Sequence, residues 1–171
     1  GDKEANGYGD VPESELDYFK NDNGKIIPHL KSGEVIIDDV TGLNPILVDE
    51  VFRPKTRDEL VQKIKSTRGI ISVGGGRFSM GGQTASNRSL HIDMRGLNRI
   101  LDFSDKDKTI TVETGIRWCD IQEFVDPYNL SVKIMQTYAN FTVGGSLNVN
   151  VHGRYMGLGP VIFSVKSIKI L

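Results

Sequence analysis

Five glycines fall within nine positions, Gly74 to Gly82, directly after the apolar run Ile70-Ile71-Ser72-Val73. Glycine loses more conformational freedom on folding than any other residue. A cluster therefore marks backbone that must take φ > 0 or admit something bulky. Backbone N–H groups in such a loop converge into a nest that holds an anion such as a pyrophosphate. No Gly-Lys-Ser/Thr triplet follows, which excludes a P-loop, and a dinucleotide-binding βαβ unit would open an amphipathic helix at the last glycine. Instead, polar Thr84-Ala85-Ser86-Asn87-Arg88 leads into Leu90-His91-Ile92-Asp93-Met94, which alternates as a strand does. The loop lies between strands and holds a ligand by its backbone, without a helix dipole. The competing reading is a plain surface turn.

A second glycine-marked stretch runs from Gln136 to Gly153. Thr142 is placed to cap a short helix whose first turn includes Gly144 and Gly145. Glycines there let a planar ligand or a phosphate rest on the backbone, and His152-Gly153 closes the segment. The alternative is a helix packed closely on a strand.

The rest of the chain frames these loops. Gly1 to Pro12 is polar, acidic and glycine-rich and is expected to be disordered. Leu16, Tyr18, Phe19, Ile26, Ile27 and Leu30 are candidate anchors for an arm over residues 1–45, and residues 46–171 form the domain proper. Ile46-Leu47-Val48 and Val51-Phe52 read as strands, and Thr56-Arg57-Asp58-Glu59 as a capping box opening a helix. Leu60, Val61 and Ile64 form its inner face and Gly69 its C′ residue. Strand Ile70–Val73 completes a βαβ unit. Leu90–Met94, Ile100–Phe103 and Thr109–Thr114 are short strands, with Asp105–Lys108 as a hairpin turn. A helix from Arg117 to Val125 ends at Asp126-Pro127. Val132–Ile134 and Val161–Leu171 read as further strands. The pattern is α+β: a small parallel βαβ layer packed beside a larger antiparallel sheet.

Net charge is −1, which gives no reason to propose nucleic acid. It hides an asymmetry: residues 1–50 carry 4 basic and 12 acidic side chains, residues 51–171 carry 17 and 10. A positive body suits a di-anionic ligand, although screening over about 8 Å in physiological salt leaves a solubilising arm as the simpler account. No apolar run is long enough to span a bilayer. No secretory leader is visible, and the expected compartment is the cytoplasm. Cys119 sits in an amphipathic helix as a buried, inert thiol. No metal site is expected.

The succession Gly-Gly-Gly-Arg-Phe-Ser-Met-Gly-Gly-Gln, Thr-Val-Gly-Gly-Ser-Leu and Asn-Val-His-Gly resembles the FAD-binding domain of the vanillyl-alcohol oxidase/p-cresol methylhydroxylase flavoproteins. The similarity runs over roughly Asp49 to Leu171, nearest the alditol, aldonolactone and decaprenylphosphoryl-ribose oxidase branch. It implies that Gly74, Gly75, Gly76, Arg77, Phe78, Ser79, Gly81, Gly82 and Gln83 wrap the FAD pyrophosphate. It also implies that Thr137, Thr142, Val143, Gly144, Gly145, Ser146, His152 and Gly153 run beside the ribityl chain and the ring. Members with covalent flavin often carry a histidine just before the serine of the first loop, where this chain has Phe78. Doubly linked members add a cysteine where this chain has Asn140 and Phe141. The resemblance therefore implies dissociable FAD.

The implied activity is oxidation of an alcohol or sugar-like substrate by hydride transfer to flavin. The substrate pocket and the catalytic base would lie largely in a substrate domain beyond Leu171. No catalytic residue is assigned: His152 reads as a positioning residue or a group near the ring, and His29 and His91 as structural or exposed. Arg77 either pairs with a pyrophosphate oxygen or points outward while its N–H binds. Asp93 and Arg95 read as a surface ion pair. Tyr138 packs on the flavin or closes the core. The alternative function is a non-catalytic flavin-binding module, or a subunit completed by another chain.

Overall fold

The computed structural model describes residues 30–171 in full. Before them it describes the backbone of two strands, β1 (Phe19–Asp22) and β2 (Lys25–Pro28), paired antiparallel. The expected disorder of Gly1–Pro12 and the anchors Leu16 and Tyr18 lie outside the described residues. Leu30 is exposed rather than buried. The chain divides into two compact units. Among the described residues no helix is long and apolar enough to cross a membrane.

The first unit comprises the described residues up to Phe52 together with 66–73 and 77–92. Strand β3 (Val35–Ile37) pairs antiparallel with β4 (Ile46–Val48), burying Ile37, Leu47 and Val48. No sequence pattern marks β3, whose three residues are too few to show a period. β5 (Glu50–Phe52), β6 (Ile71–Gly74) and β7 (Leu90–Asp93) form a sheet in the order β5-β7-β6, with β5 and β7 parallel. The two strands of the expected βαβ unit are thus separated by the strand that follows the glycine loop. Every side chain of β7 is buried, which requires its polar members to be paired. The Ser89 hydroxyl donates to the Ser86 carbonyl at 2.7 Å. Ser72 must then donate to Ser89 at 2.7 Å, and the protonated Nδ1 of His91 to Ser72 at 2.9 Å. His91 is a structural histidine. Arg88 braces the same unit, donating to Glu34 and, at 3.2 Å, to Asp49.

The second unit comprises residues 53–65, 74–76 and 93–171. Helix α1 (Arg57–Ser66) opens on the expected Thr56 cap, whose hydroxyl accepts from Glu59 N–H at 3.2 Å; the Glu59 carboxylate reaches one residue beyond the capping-box partner and accepts from Lys55 N–H at 2.7 Å. Only Leu60 of its expected inner face is fully buried; Ile64 is exposed. The helix ends before Gly69, which has no left-handed φ and is no C′ residue. Strands β8 (Ile100–Ser104) and β9 (Thr109–Val112) form the expected hairpin, clamped by a forked Arg99–Glu113 pair at 2.7 Å. The antiparallel part of the fold is built from two-stranded ladders. Helix α2 (Trp118–Val125) turns Trp118, Ile121 and Val125 into the core, while Phe124 stays at the edge against Phe103 at 5.3 Å. Spacings of three and four place these residues on one helical face. The core is completed by Ile116, Ile134, Val143, Val151 and Val161. Val132–Ile134 is not a strand, yet Ile134 is fully buried. Val161–Leu171 is not one either: it is a 3-10 turn over Val161–Ser164 followed by irregular chain, with Phe163 and Ile170 exposed. Its apolar alternation has no partner ladder among the described residues.

Asp93 is not at the surface. Its side chain is 1% exposed, between Arg53 at 2.6 Å and Arg95 at 2.7 Å, and it also accepts from Arg95 N–H at 3.1 Å. Burial alone pushes its carboxyl up; the Arg95 and Arg53 hydrogen bonds and charges overcome that and hold it well below the usual range. A carboxyl depressed in this way stabilises the fold above its unfolded pKa, near 3.9. That stability is lost as pH falls from there through the folded value. The Asp93→Asn chain is expected to be less stable in urea by about 2 kcal/mol at pH 7, the low side for a broken buried pair because both arginines are partly exposed. The gap should narrow below about pH 4, which urea melts at pH 7 and pH 3.5 check.

Candidate functional site

The two glycine clusters meet within the second unit, at Thr142. A β-carbon on Gly75 would stand 2.3 Å from Thr142 Oγ1, and one on Gly145 would stand 3.1 Å from the same atom. The first distance forbids any side chain at 75 unless Thr142 moves. Thr142 occupies the N-cap position of α3 (Val143–Asn148), with extended φ −76° and ψ 149°, but its hydroxyl makes no capping bond. The expectation of a Thr142 side-chain cap is therefore corrected: the hydroxyl lies in the crevice between the clusters. The N–H groups of Gly75 and Gly76 donate to no group among the described residues. Half-buried unengaged amides on side-chain-free backbone make a cradle that a bulky oxyanion can enter.

The first turn of α3 is engaged differently. Val143 N–H donates to the Ile116 carbonyl at 2.9 Å and Gly144 N–H to the Thr114 carbonyl at 2.8 Å. A β-carbon on Gly144 would lie 1.8 Å from Thr114 Oγ1. Gly144 is thus glycine because the helix packs closely on residues 114–116. Val143 and Ser146 face the core. Trp118 Nε1–H donates to Ser146 Oγ at 2.8 Å, and Ser146 donates to Gln136 Oε1 at 2.8 Å. Thr137 and His152 are exposed and Gly153 is half-buried.

The remainder of the first loop, Arg77–Gln83, belongs to the first unit. Arg77 takes a left-handed φ of 61°, and its carbonyl accepts from Val40 N–H at 3.0 Å. A side-chain-bearing residue in that region stores strain, a common mark of loops shaped for a ligand. Gly82 N–H donates to Asp39 Oδ2 at 3.3 Å. Asp39 is itself buried and held by the Thr41 hydroxyl at 2.5 Å and Asn44 at 2.8 Å. The Thr41 hydrogen bond, opposed by burial, lowers its carboxyl below the usual value. Sequence reasoning missed Asp39. Its signal is the Asp-Val-Thr turn pattern, in which an Asp side chain bonds backbone two residues on. Phe78 is half-buried, while Ser79, Gly81 and Gln83 are exposed.

Cys119 is half-buried rather than buried, with Sγ 3.4 Å from Asn140 Oδ1. Tyr138 packs edge-on to Phe141 at 5.7 Å and remains largely exposed.

The FAD binding domain family matches residues 48–171. Decaprenylphosphoryl-beta-D-ribose oxidase of Mycolicibacterium smegmatis is 30% identical over 61% of this chain and 23% of its own. L-galactono-1,4-lactone dehydrogenase 2, mitochondrial, of Oryza sativa subsp. japonica is 26% identical over 74% of this chain and 21% of its own. Among solved structures, cholesterol oxidase from Brevibacterium sterolicum superposes with TM-score 0.56 at 19% identity, over 74% of this chain and 26% of its own. Alkyldihydroxyacetonephosphate synthase does so with TM-score 0.56 at 21% identity, over 63% of this chain and 21% of its own. The structural likenesses establish the fold. The chain spans between 21% and 26% of the length of these proteins.

Contact between the clusters is testable by a double-mutant cycle. Gly75→Ala is expected to cost about 1–3 kcal/mol by overpacking. In a Thr142→Ala background most of that cost should vanish, because the displaced oxygen is gone. A coupling of about 1 kcal/mol or more in urea melts is the expected result; additive effects would remove the contact.

Proposed function

Because the chain belongs to the FAD binding domain family, we propose that it is the flavin-holding part of an oxidoreductase acting on an alcohol or sugar-like substrate. The observation that carries this reading is the meeting of the two glycine clusters at Thr142, with the amides of Gly75 and Gly76 unengaged. A backbone cradle of this kind suits a large, flat, doubly anionic group. Bound FAD supplies the hydride acceptor, which no side chain can provide. The chain's own residues then bind and orient it.

In this reading Gly75 and Gly76 donate backbone N–H groups to the pyrophosphate, and the resemblance assigns Ser79 and Gly81 to FAD as well. Gly74, Arg77, Phe78, Gly82 and Gln83 shape that loop, and the left-handed φ of 61° at Arg77 favours a backbone role for it. Thr142 and Gly145 lie along the ribityl chain, and Thr137, His152 and Gly153 stand nearer the ring. Val143, Gly144 and Ser146 contribute by holding α3 in place, since their side-chain sites face Thr114, Trp118 and the core.

We assign substrate recognition and proton removal largely to a further domain of the whole protein, because the chain spans 23% or less of the curated relatives above. Those relatives are named for ribose- and lactone-derived substrates, which supports the sugar-like class. The cytoplasm is proposed as its compartment from the sequence alone. FAD is held without a covalent bond, because Phe78 carries no nucleophile where a histidine would attach the flavin.

The test is the visible spectrum of the purified chain after FAD addition and desalting. A two-band flavin spectrum, with pigment released into the supernatant on acid precipitation, is expected. Pigment that stays with the precipitate overturns non-covalent attachment, and a colourless chain overturns the cradle.

A further inference from the structure

A second site lies where the two ends of the second glycine loop come together, within the second unit. A cavity of about 270 Å³ is lined by Met135, Gln136, Thr137, Arg154 and Tyr155. Ligand pockets for whole small molecules run from about 300 Å³ upward, so this one suits a group of a ligand rather than a whole one. Its lining includes one cation and no carboxylate. Arg154 is exposed and makes no ion pair among the described residues. Its guanidinium presents five N–H donors in a fork that matches carboxylate or phosphate oxygens.

A buried relay sets the polarity of the wall formed by Gln136. The Trp118 indole is a donor only, so Ser146 Oγ accepts from it and must spend its own proton on Gln136 Oε1. That orientation fixes which end of the carboxamide is committed: the oxygen is held in the core and the two N–H donors of Nε2 are left over. Thr137 and Tyr155 add hydroxyl groups that can also donate. The cavity wall is mainly apolar, and its polar part holds one unneutralised positive charge and the Gln136 donors, a combination that selects an anionic acceptor.

We propose that this cavity binds an anionic oxygen group, phosphate or carboxylate, carried by the substrate. The choice of the substrate as its bearer rests on the reading of the chain as a flavin-holding domain; the anion preference does not. Gln136 and Arg154 are then the specificity-determining pair, and Ser146 and Trp118 are positioning residues acting through Gln136.

The experiment is a titration of the 15N-labelled chain with inorganic phosphate at ionic strength held constant with chloride. Saturable shifts at Arg154 Nε–H and the Gln136 carboxamide are expected. Arg154→Gln should weaken phosphate about tenfold or more. Gln136→Glu keeps the acceptor for Ser146 and replaces the donor with a negative oxygen, so it should weaken phosphate about as much. In both variants the Trp118 indole resonance should stay at its folded position, reporting an intact relay. Shifts no larger than those of chloride, or wild-type binding in both variants, overturn the site. Repeating the titration with FAD bound separates the two sources of phosphate. Undiminished binding supports the substrate, whereas one-for-one displacement by FAD assigns the cavity to the cofactor's pyrophosphate and overturns the substrate assignment. A chain that takes phosphate but no FAD leaves the anion site standing and refutes the flavin reading.

Discussion

The second unit depends on places where no β-carbon can exist. Gly75 lies against Thr142 Oγ1, and Gly144 lies against Thr114 so closely that a β-carbon would overlap its hydroxyl. Those two approaches bring three pieces of chain together: the first glycine cluster, the N-terminus of α3 and the segment before α2. The hydrogen bonds from Val143 and Gly144 to Ile116 and Thr114 lock the last two of these. With the amides of Val143 and Gly144 so engaged, those of Gly75, Gly76 and Gly145 donate to no group among the described residues. One steric condition thus builds the core contact and leaves backbone donors open beside it.

Buried charge is handled in the same economical way. Asp93 is surrounded by donors from Arg53 and Arg95, which take the places that water would otherwise fill. Asp39, in the first unit, is satisfied by Thr41, Asn44 and the Gly82 amide, so that a carboxylate shapes the far part of the first loop. Each is stable because its hydrogen bonds are complete; removing partners would leave the desolvation cost uncompensated. The Trp118–Ser146–Gln136 relay obeys the same rule, and its one-way donor at Trp118 imposes direction on everything downstream.

Local signals were legible where the deciding interactions were local. The Thr56 and Glu59 bonds that open α1, the hairpin over Ile100–Val112 and the apolar face of α2 all depend on residues three to twelve positions apart. Reading failed where the outcome turned on a distant partner. Val161–Leu171 alternates like a strand, but a strand needs a ladder, and none of the described residues supplies one. Val132–Ile134 reads as a strand and is instead irregular chain fixed by complete burial of Ile134. Asp93 beside Arg95 reads as a surface pair, because nothing adjacent in sequence announces that Arg53 completes its shell.

Among the candidate site residues, the sequence by itself determined which stretches of backbone are bare of side chains, and so the kind of ligand the chain accepts. Glycine composition is a covalent fact, and the steric freedom it confers holds in any fold. Only the tertiary structure decided which glycine amides are engaged by the fold and which are left open. Gly144 and Gly75 carry the same chemical signal, yet one has its amide bound to Thr114 and the other does not. The difference lies in what stands opposite each α-carbon, a property of chain brought from 30 or more residues away, which no local pattern records.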